Sequence, residues 1–298
     1  MKLDEFLRLN AREDLAALTL AISKASIAVS DSIPFKSGLL SQTNPSGETQ
    51  KAIDVFSNDE FLEALTATGV AAEVASEEMA EPAKSKGNVS VAMDPLDGSS
   101  NVATNNPLGS IFGFYDRPLP ASGRSLAGAL FVTYGSMLTL TLSFGKGVHR
   151  FVAVREGPSM SFELLDVNVK IPEEPEVFGV GGTREDWIPP VRTFFDSLPG
   201  RGMRIRYCGT FVGDYNQVLT RGGIFAYPAL VKKPRGKLRV HYESAPMAFI
   251  NEQAGGYATD GHRNILDLEP TSYSESSPIY LGSAPLAHEL ERIVSGAS

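Results

Sequence analysis

The stretch Asp94-Pro95-Leu96-Asp97-Gly98-Ser99-Ser100-Asn101 constrains this chain more than any other. An apolar run, Val89 to Met93, precedes it and reads as a buried strand, so these residues lie where a core strand ends. Pro95 fixes its own φ and gives up an N–H, while Gly98 permits a tight turn with the backbone close to a ligand. The two aspartates can face one side of that turn with the Leu96 carbonyl between them. Oxygen ligands gathered in this way suit hard cations such as magnesium. The amides of Gly98, Ser99 and Ser100 read as a helix start, whose exposed N–H groups seat a phosphate. An isolated Asp-Gly is an ordinary turn; the full octapeptide reads as a metal-and-phosphate site.

The remaining carboxylates extend that reading. Glu77-Glu78 follows a short strand, Val70 to Ala75. If that strand neighbours Val89–Met93 and both end on one side, Glu77 and Glu78 meet Asp94 and Asp97. Four carboxylates in one place repel unless cations neutralise them, so the cluster itself predicts metal. Taken alone, paired glutamates are usually solvated, and Glu243, just ahead of a helix at Ala245, is usually a cap.

The chain has 298 residues, 42% hydrophobic and 21% charged, and a net charge of −8. That length suggests one large domain or two moderate ones. The negative charge argues against a nucleic-acid partner. A single cysteine, Cys208, permits no intramolecular disulfide and fits a reducing compartment. With charges near the N-terminus and no apolar run of membrane-spanning length, the expectation is a cytoplasmic protein with no membrane partner.

Taken in order, periodicity predicts a helix from Asp14 to about Val29 and a loop over residues 30–46 that is a candidate lid. A second helix opens at Gly47. After the octapeptide come strands at Ile111–Tyr115, Ala127–Val132, Thr139–Phe144, Val148–Val154 and Ser161–Leu165. Pro172, Pro175 and neighbouring glutamates mark a domain boundary, giving residues 1–172 and 173–298. The second half alternates strands at Val177–Val180, Ile224–Tyr227 and Ile279–Leu281 with helices at Trp187–Ser197, Val212–Leu219, Ala245–Gln253 and from Pro285. The fold class is α/β.

Several further motifs join these: Gly47-Glu-Thr-Gln-Lys-Ala-Ile-Asp54, Gly109-Ser-Ile-Phe-Gly-Phe-Tyr115, Gly222-Gly-Ile-Phe-Ala-Tyr-Pro228, Gly236-Lys-Leu-Arg239 and Tyr242-Glu-Ser-Ala-Pro-Met247. In this order, over nearly the whole chain, they resemble class I fructose-1,6-bisphosphatases and the related sedoheptulose-1,7-bisphosphatases. The resemblance implies a layered αβαβα fold and magnesium-dependent hydrolysis of the 1-phosphate of a sugar bisphosphate, foremost fructose 1,6-bisphosphate. It implies two or three magnesium ions, with manganese a possible substitute, held by Glu77, Asp94, Asp97, Glu243 and the Leu96 carbonyl. Glu78 and Asp54 look like the pair that orients and deprotonates the attacking water, with Glu48 a further acidic group. Gly98, Ser99 and Ser100 resemble the seat of the departing phosphate, and Arg206, Tyr207, Tyr227 and Lys237 the clamp on the other phosphate. In the family that arginine comes from a neighbouring subunit, which implies a homodimer or homotetramer. The run Lys232-Lys233-Pro234-Arg235-Gly236-Lys237, the one local cationic cluster, reads as part of the clamp.

The chain departs from the pattern in two places. Val180-Gly181-Gly182-Thr183 stands where the family usually has N-E-G-Y, which opens the alternative of a seven-carbon sugar. Asn88-Val89 and Asp116 replace a Lys-Tyr and an Arg of AMP-inhibited members, and the Gly-rich segment between the first helices is missing, so AMP inhibition is not expected. Other readings are an inositol-phosphate type of phosphatase, disfavoured by Tyr242-Glu243, and a non-catalytic sugar-phosphate binder on the same fold.

Overall fold

A computed structural model of the chain describes residues 1–36, 39–43 and 49–296. Glu48 and residues 37–38 and 44–46 of the candidate lid lie outside the described residues.

Two helices lead, α1 (Leu3–Asn10) and α2 (Glu13–Ser32). Helix α1 is not among the elements expected from the sequence, although its buried Leu3, Phe6 and Leu7 fall at helical spacing. A short hairpin, β1 (Leu39–Thr43) with β2 (Thr49–Lys51), leads into α3 (Ala52–Ala67), so the second helix starts five residues later than Gly47 suggested. With the turn Ile33–Phe35, α2 has the length and apolarity of a membrane-crossing helix, at a mean hydropathy of 1.3. That corrects the reading that no such run exists. Here Leu15, Leu18, Ile22 and Val29 are buried against α3 and the sheet.

The first sheet has eight strands: β3 (Ala71–Ser76), β4 (Ala83–Lys84), β5 (Val89–Asp97), β6 (Leu108–Tyr115), β7 (Leu126–Tyr134), β8 (Leu138–Ser143), β9 (Val148–Glu156) and β10 (Ser159–Val169). Their order is β10-β9-β8-β7-β6-β5-β3-β4, and all neighbours are antiparallel except β3 and β5. The second sheet runs β12-β11-β13-β17-β15, from β11 (Val177–Val180), β12 (Arg204–Ile205), β13 (Gly223–Tyr227), β15 (Gly256–Thr259) and β17 (Ile279–Ser283). A two-residue ladder pairs β14 (Leu238–Arg239) with β16 (Ser276–Ser277). The helices of this half are α4 (Pro189–Ser197), α5 (Phe211–Arg221), α6 (Ala245–Gln253) and α7 (Ala284–Ser295).

Three apolar clusters give the layering. Along β5, Val89, Val91 and Met93 pack with α1, α2 and α3, while Ala92 faces the opposite cluster. That opposite cluster holds Phe211, Val212 and Tyr215 of α5 and Met247 and Ile250 of α6, together with Phe225 and Leu281 of the second sheet. The outer face of the second sheet packs on Phe194 and Phe195 of α4 and Leu286 and Leu290 of α7. The result is αβαβα. A strand covered on both faces must be apolar along its whole length, and every residue of β5 is buried. Asp94 and Asp97 are therefore carried into the interior by a strand whose other side chains pay for the position.

Candidate active site

Parallel pairing of β3 with β5, with Ser76 opposite Met93, ends the two strands side by side. The N–H of Glu77 then donates to the Met93 carbonyl at 3.1 Å. This is the juxtaposition that the sequence suggested. The octapeptide, however, does not begin after the strand: β5 continues through Asp97, and its register with β6 shifts between Asp94 and Asp97. A bulge there accommodates Pro95 and re-aims the following side chain. The chain then turns at Gly98, at φ +76°, where a Cβ would lie 2.1 Å from the Thr210 methyl. Only glycine meets both demands. Ser99–Thr104 forms a 3-10 turn, tied down by Asn101, whose amide donates to the Cys208 carbonyl at 2.8 Å.

Glu77, Asp94 and Glu243 are all buried, and one carboxylate oxygen from each lies within 4.8 Å of the others. Glu243 arrives from a π-helical turn, Val240–Ser244, entering α6. Asp97 is not one of this trio. Its Oδ2 accepts from the Val212 N–H at 2.7 Å, at the start of α5, and so joins the two halves of the chain. Burial, then Glu243, Asp97 and Glu78, push Asp94 well above the ordinary carboxylate range. Burial also lifts Asp97, to about 7, against the pull of the Val212 and Phe211 N–H groups. Buried acids that raise one another's proton affinity form an all-oxygen donor set for a hard divalent cation, and these residues fit such an ion.

Arg239 also sits in this cluster. Its guanidinium pairs with Glu77, its Nε lies 3.2 Å from Glu243 and its backbone N–H donates to Glu243 at 2.7 Å. Arg239 closes the motif Gly236-Lys-Leu-Arg239, and the family resemblance assigns it no role. The signal was available: Lys237 and Arg239 alternate around Leu238, so on a strand they face the same way.

One cavity of about 310 Å³ is lined by Glu77, Glu78, Asp94, Leu96, Asp97 and Glu243, and also by Gly98, Ser99 and Ser100. Tyr227, Lys237 and Arg239 complete it from the second half of the chain. Asp54 is buried in the first turn of α3, where it accepts from the Lys51 N–H at 2.6 Å. It is not among the residues lining this cavity. Lys51 reaches the Ser99 carbonyl, and Asn58 of the same helix bonds Ser76 at 2.7 Å, so α3 is held against both carboxylate-bearing strand ends.

Of the residues that the resemblance assigns to the distal phosphate, Tyr227 and Lys237 line this cavity and Arg206 and Tyr207 do not. Tyr207 is 49% exposed, and Arg206 beside it is exposed as well. The cationic run Lys232–Lys237 is split, which corrects its reading as one clamp. The N–H of Gly236 donates to the Lys233 carbonyl at 3.1 Å, closing a turn at which Gly236 has φ +70°. Past that turn Lys237 reaches the carboxylate cavity, whereas Lys233 and Arg235 line a different one.

Two family models match the chain, the fructose-1,6-bisphosphatase N-terminal domain over residues 3–159 and its C-terminal domain over residues 171–295. The chain belongs to the fructose-1,6-bisphosphatase family. It is 39% identical over 254 residues to a class 1 fructose-1,6-bisphosphatase of Haloarcula marismortui, an alignment covering 85% of this chain and 86% of that one. It is 42% identical over 251 residues to the class 1 enzyme of Geobacter sulfurreducens, covering 82% and 79% respectively. Among solved structures, the holo form of Leishmania major fructose-1,6-bisphosphatase superposes with a TM-score of 0.93 at 29% identity, over 99% of both chains. The fructose-bisphosphatase resemblance read from the motifs therefore holds, as does the α/β fold class.

Proposed function

We propose that this chain is a magnesium-dependent fructose-1,6-bisphosphatase that releases the 1-phosphate as inorganic phosphate and leaves fructose 6-phosphate. The observation that carries this reading is the single cavity where the buried carboxylates, the Gly98–Ser100 turn and the Tyr227–Lys237 pair meet. Hydrolysis of a phosphate monoester moves negative charge from an attacking water to a leaving alkoxide in line, and catalysis is mostly positioning and electrostatics.

The residues divide that work. Glu77, Asp94, Asp97, Glu243 and the Leu96 carbonyl hold two or three magnesium ions, or manganese in their place. The bound metal supplies Lewis acidity to the water and the phosphate oxygens. Glu78 and Asp54 orient the water and accept its proton, with Glu48 acting beside them. The amides of Gly98, Ser99 and Ser100 receive the phosphate that is cut. Tyr207, Tyr227 and Lys237 hold the distal phosphate, and residues 1–172 and 173–298 act as the metal-bearing and the clamping domain.

Arg206 completes the clamp of a neighbouring subunit in a homodimer or homotetramer. Its exposure beside Ile205, which is 66% exposed on edge strand β12, supports that reading. AMP is not an inhibitor, because Asp116 offers a carboxylate, already held by Arg12 at 2.7 and 2.9 Å, where AMP-sensitive members have an arginine. Inhibition by micromolar AMP would contradict this. The lone cysteine agrees with a cytoplasmic location.

A second reading, sedoheptulose 1,7-bisphosphate as the preferred substrate, is favoured by one feature. Gly181 lies against the Tyr227 ring, where a Cβ would come within 2.7 Å, so position 181 adds no side-chain donor for a distal phosphate. Comparing kcat/KM for the two bisphosphates, with an inositol monophosphate as a third substrate and magnesium present, tests these readings together. Preference for the six-carbon bisphosphate supports the first and preference for the seven-carbon one the second. Release from inositol phosphate alone, or from none, rejects both.

A further inference from the structure

The turn that parts the cationic run gives Lys233 and Arg235 a site of their own. They line a cavity of about 1090 Å³, larger than the one holding the carboxylates. Arg263, from the loop after β15, lines the same space. A third cavity, of about 560 Å³, lies between the two, sharing Lys233 and Gly236 with the large one and Lys237 and Arg239 with the catalytic one.

The charge of the large cavity is not neutralised from within. Among the described residues, neither Lys233 nor Arg235 has an acidic partner, in a chain whose net charge is −8. Two carboxylates, Asp260 and Glu275, do line it, but both are turned to their own loops. Asp260 accepts from the N–H groups of His262 and Arg263 at 2.8 and 2.9 Å, and its approach to the Arg263 side chain is a loose 3.8 Å. Glu275 accepts from the Thr271 N–H and hydroxyl at 2.9 and 3.2 Å. Serine hydroxyls on its wall, Ser272 and Ser274, add donors, and Ala229, Leu268 and Val294 provide an apolar floor. Guanidinium groups with free donors suit phosphate oxygens, and the volume is at the upper end for a small-molecule site.

We propose that this cavity is a second anion site, which takes a small organic phosphate carrying two or more negative charges, apart from the catalytic cavity. The site does not depend on the catalytic reading above. It does share a turn with Lys237, so an occupant held by Arg235 sits two residues from the clamp.

The chain carries its own reporter. Its single tryptophan, Trp187, bridges to Leu230 and precedes Ile188, which lines the cavity. Titration of metal-free protein with pyrophosphate, followed by Trp187 fluorescence and checked by calorimetry, reads the site directly. The expected result is saturable binding by the wild type and by Lys237→Ala. Binding should be weakened about tenfold or more in Arg235→Ala/Arg263→Ala, as loss of charge-assisted hydrogen bonds requires, and partly recovered in Arg235→Lys/Arg263→Lys. Fructose 1,6-bisphosphate hydrolysis by the double alanine variant should match the wild type. If that variant does not fold, Arg235→Ala alone, on an exposed turn, carries the same reading. Binding unchanged in the arginine variants, binding abolished by Lys237→Ala, or no saturable binding by either method would overturn the proposal.

Discussion

Replacing Asp97 by Asn separates what the carboxylate does for catalysis from what it does to the fold. Asn keeps a carbonyl oxygen in the place where Asp97 accepts from the Val212 N–H at 2.7 Å, so the link between β5 and α5 survives. It removes a buried charge. In the metal-free protein Asp97 titrates at about 7 against an ordinary 3.8. A group whose folded pKa is raised binds its proton more tightly in the native state, so stability falls as pH rises from about 4 to about 7 and is flat above. That displacement corresponds to roughly 4 kcal/mol, as an upper bound, of destabilisation by the ionised group at pH 8. Asp97→Asn should therefore melt several degrees higher than the metal-free wild type at pH 8, with the advantage fading towards pH 4. Magnesium should raise the wild-type Tm more at pH 8 than at pH 5.5, and raise that of the variant less. Turnover should fall by orders of magnitude, since the metal set proposed above loses Asp97. The assay is thermal denaturation by circular dichroism across pH, with and without magnesium. A metal-free variant no more stable than wild type at pH 8 would refute the reasoning.

Two other substitutions follow from the same geometry. Arg239→Met leaves Glu77 and Glu243 facing each other without their guanidinium, so the metal-free protein should lose roughly 3–5 kcal/mol of stability, with magnesium restoring much of it; equal losses with and without metal in denaturant titrations would count against this. Gly98→Ala places a Cβ against Thr210 on a left-handed backbone and should cost more than about 1 kcal/mol together with most of the activity; a variant with wild-type midpoint and rate would show that the turn tolerates a side chain.

Much of this was legible in the sequence because a single periodicity decided it. Runs such as Val89–Met93 and Ile111–Tyr115 are buried on both faces, and α6 was read at Ala245–Gln253, the bounds the structure gives. What escaped was set by tertiary contact. The strand at Asp94–Asp97 continues through a bulge that its proline alone suggests is a stop. Strands of two residues, such as β12 and β14, have no pattern of their own and exist because a neighbour pairs with them. Among the carboxylates, Glu77, Asp94 and Glu243 meet as expected, yet Asp97 turns to α5 and Arg239 enters the cluster. The same turn that delivers Lys237 takes Lys233 and Arg235 elsewhere, and no reading of charge along the chain distinguishes those destinations.

The central claim is that buried carboxylates just past β3, on β5 and in the turn entering α6 hold metal for cleavage of a sugar 1-phosphate. Release of inorganic phosphate from fructose 1,6-bisphosphate by chelator-stripped protein, before and after adding magnesium, tests it most directly, with Glu243→Gln alongside. The account predicts no release without metal, full release on adding it, and little in the variant at any magnesium concentration that saturates wild type. Equal rates with and without metal, or a fully active Glu243→Gln, would contradict it.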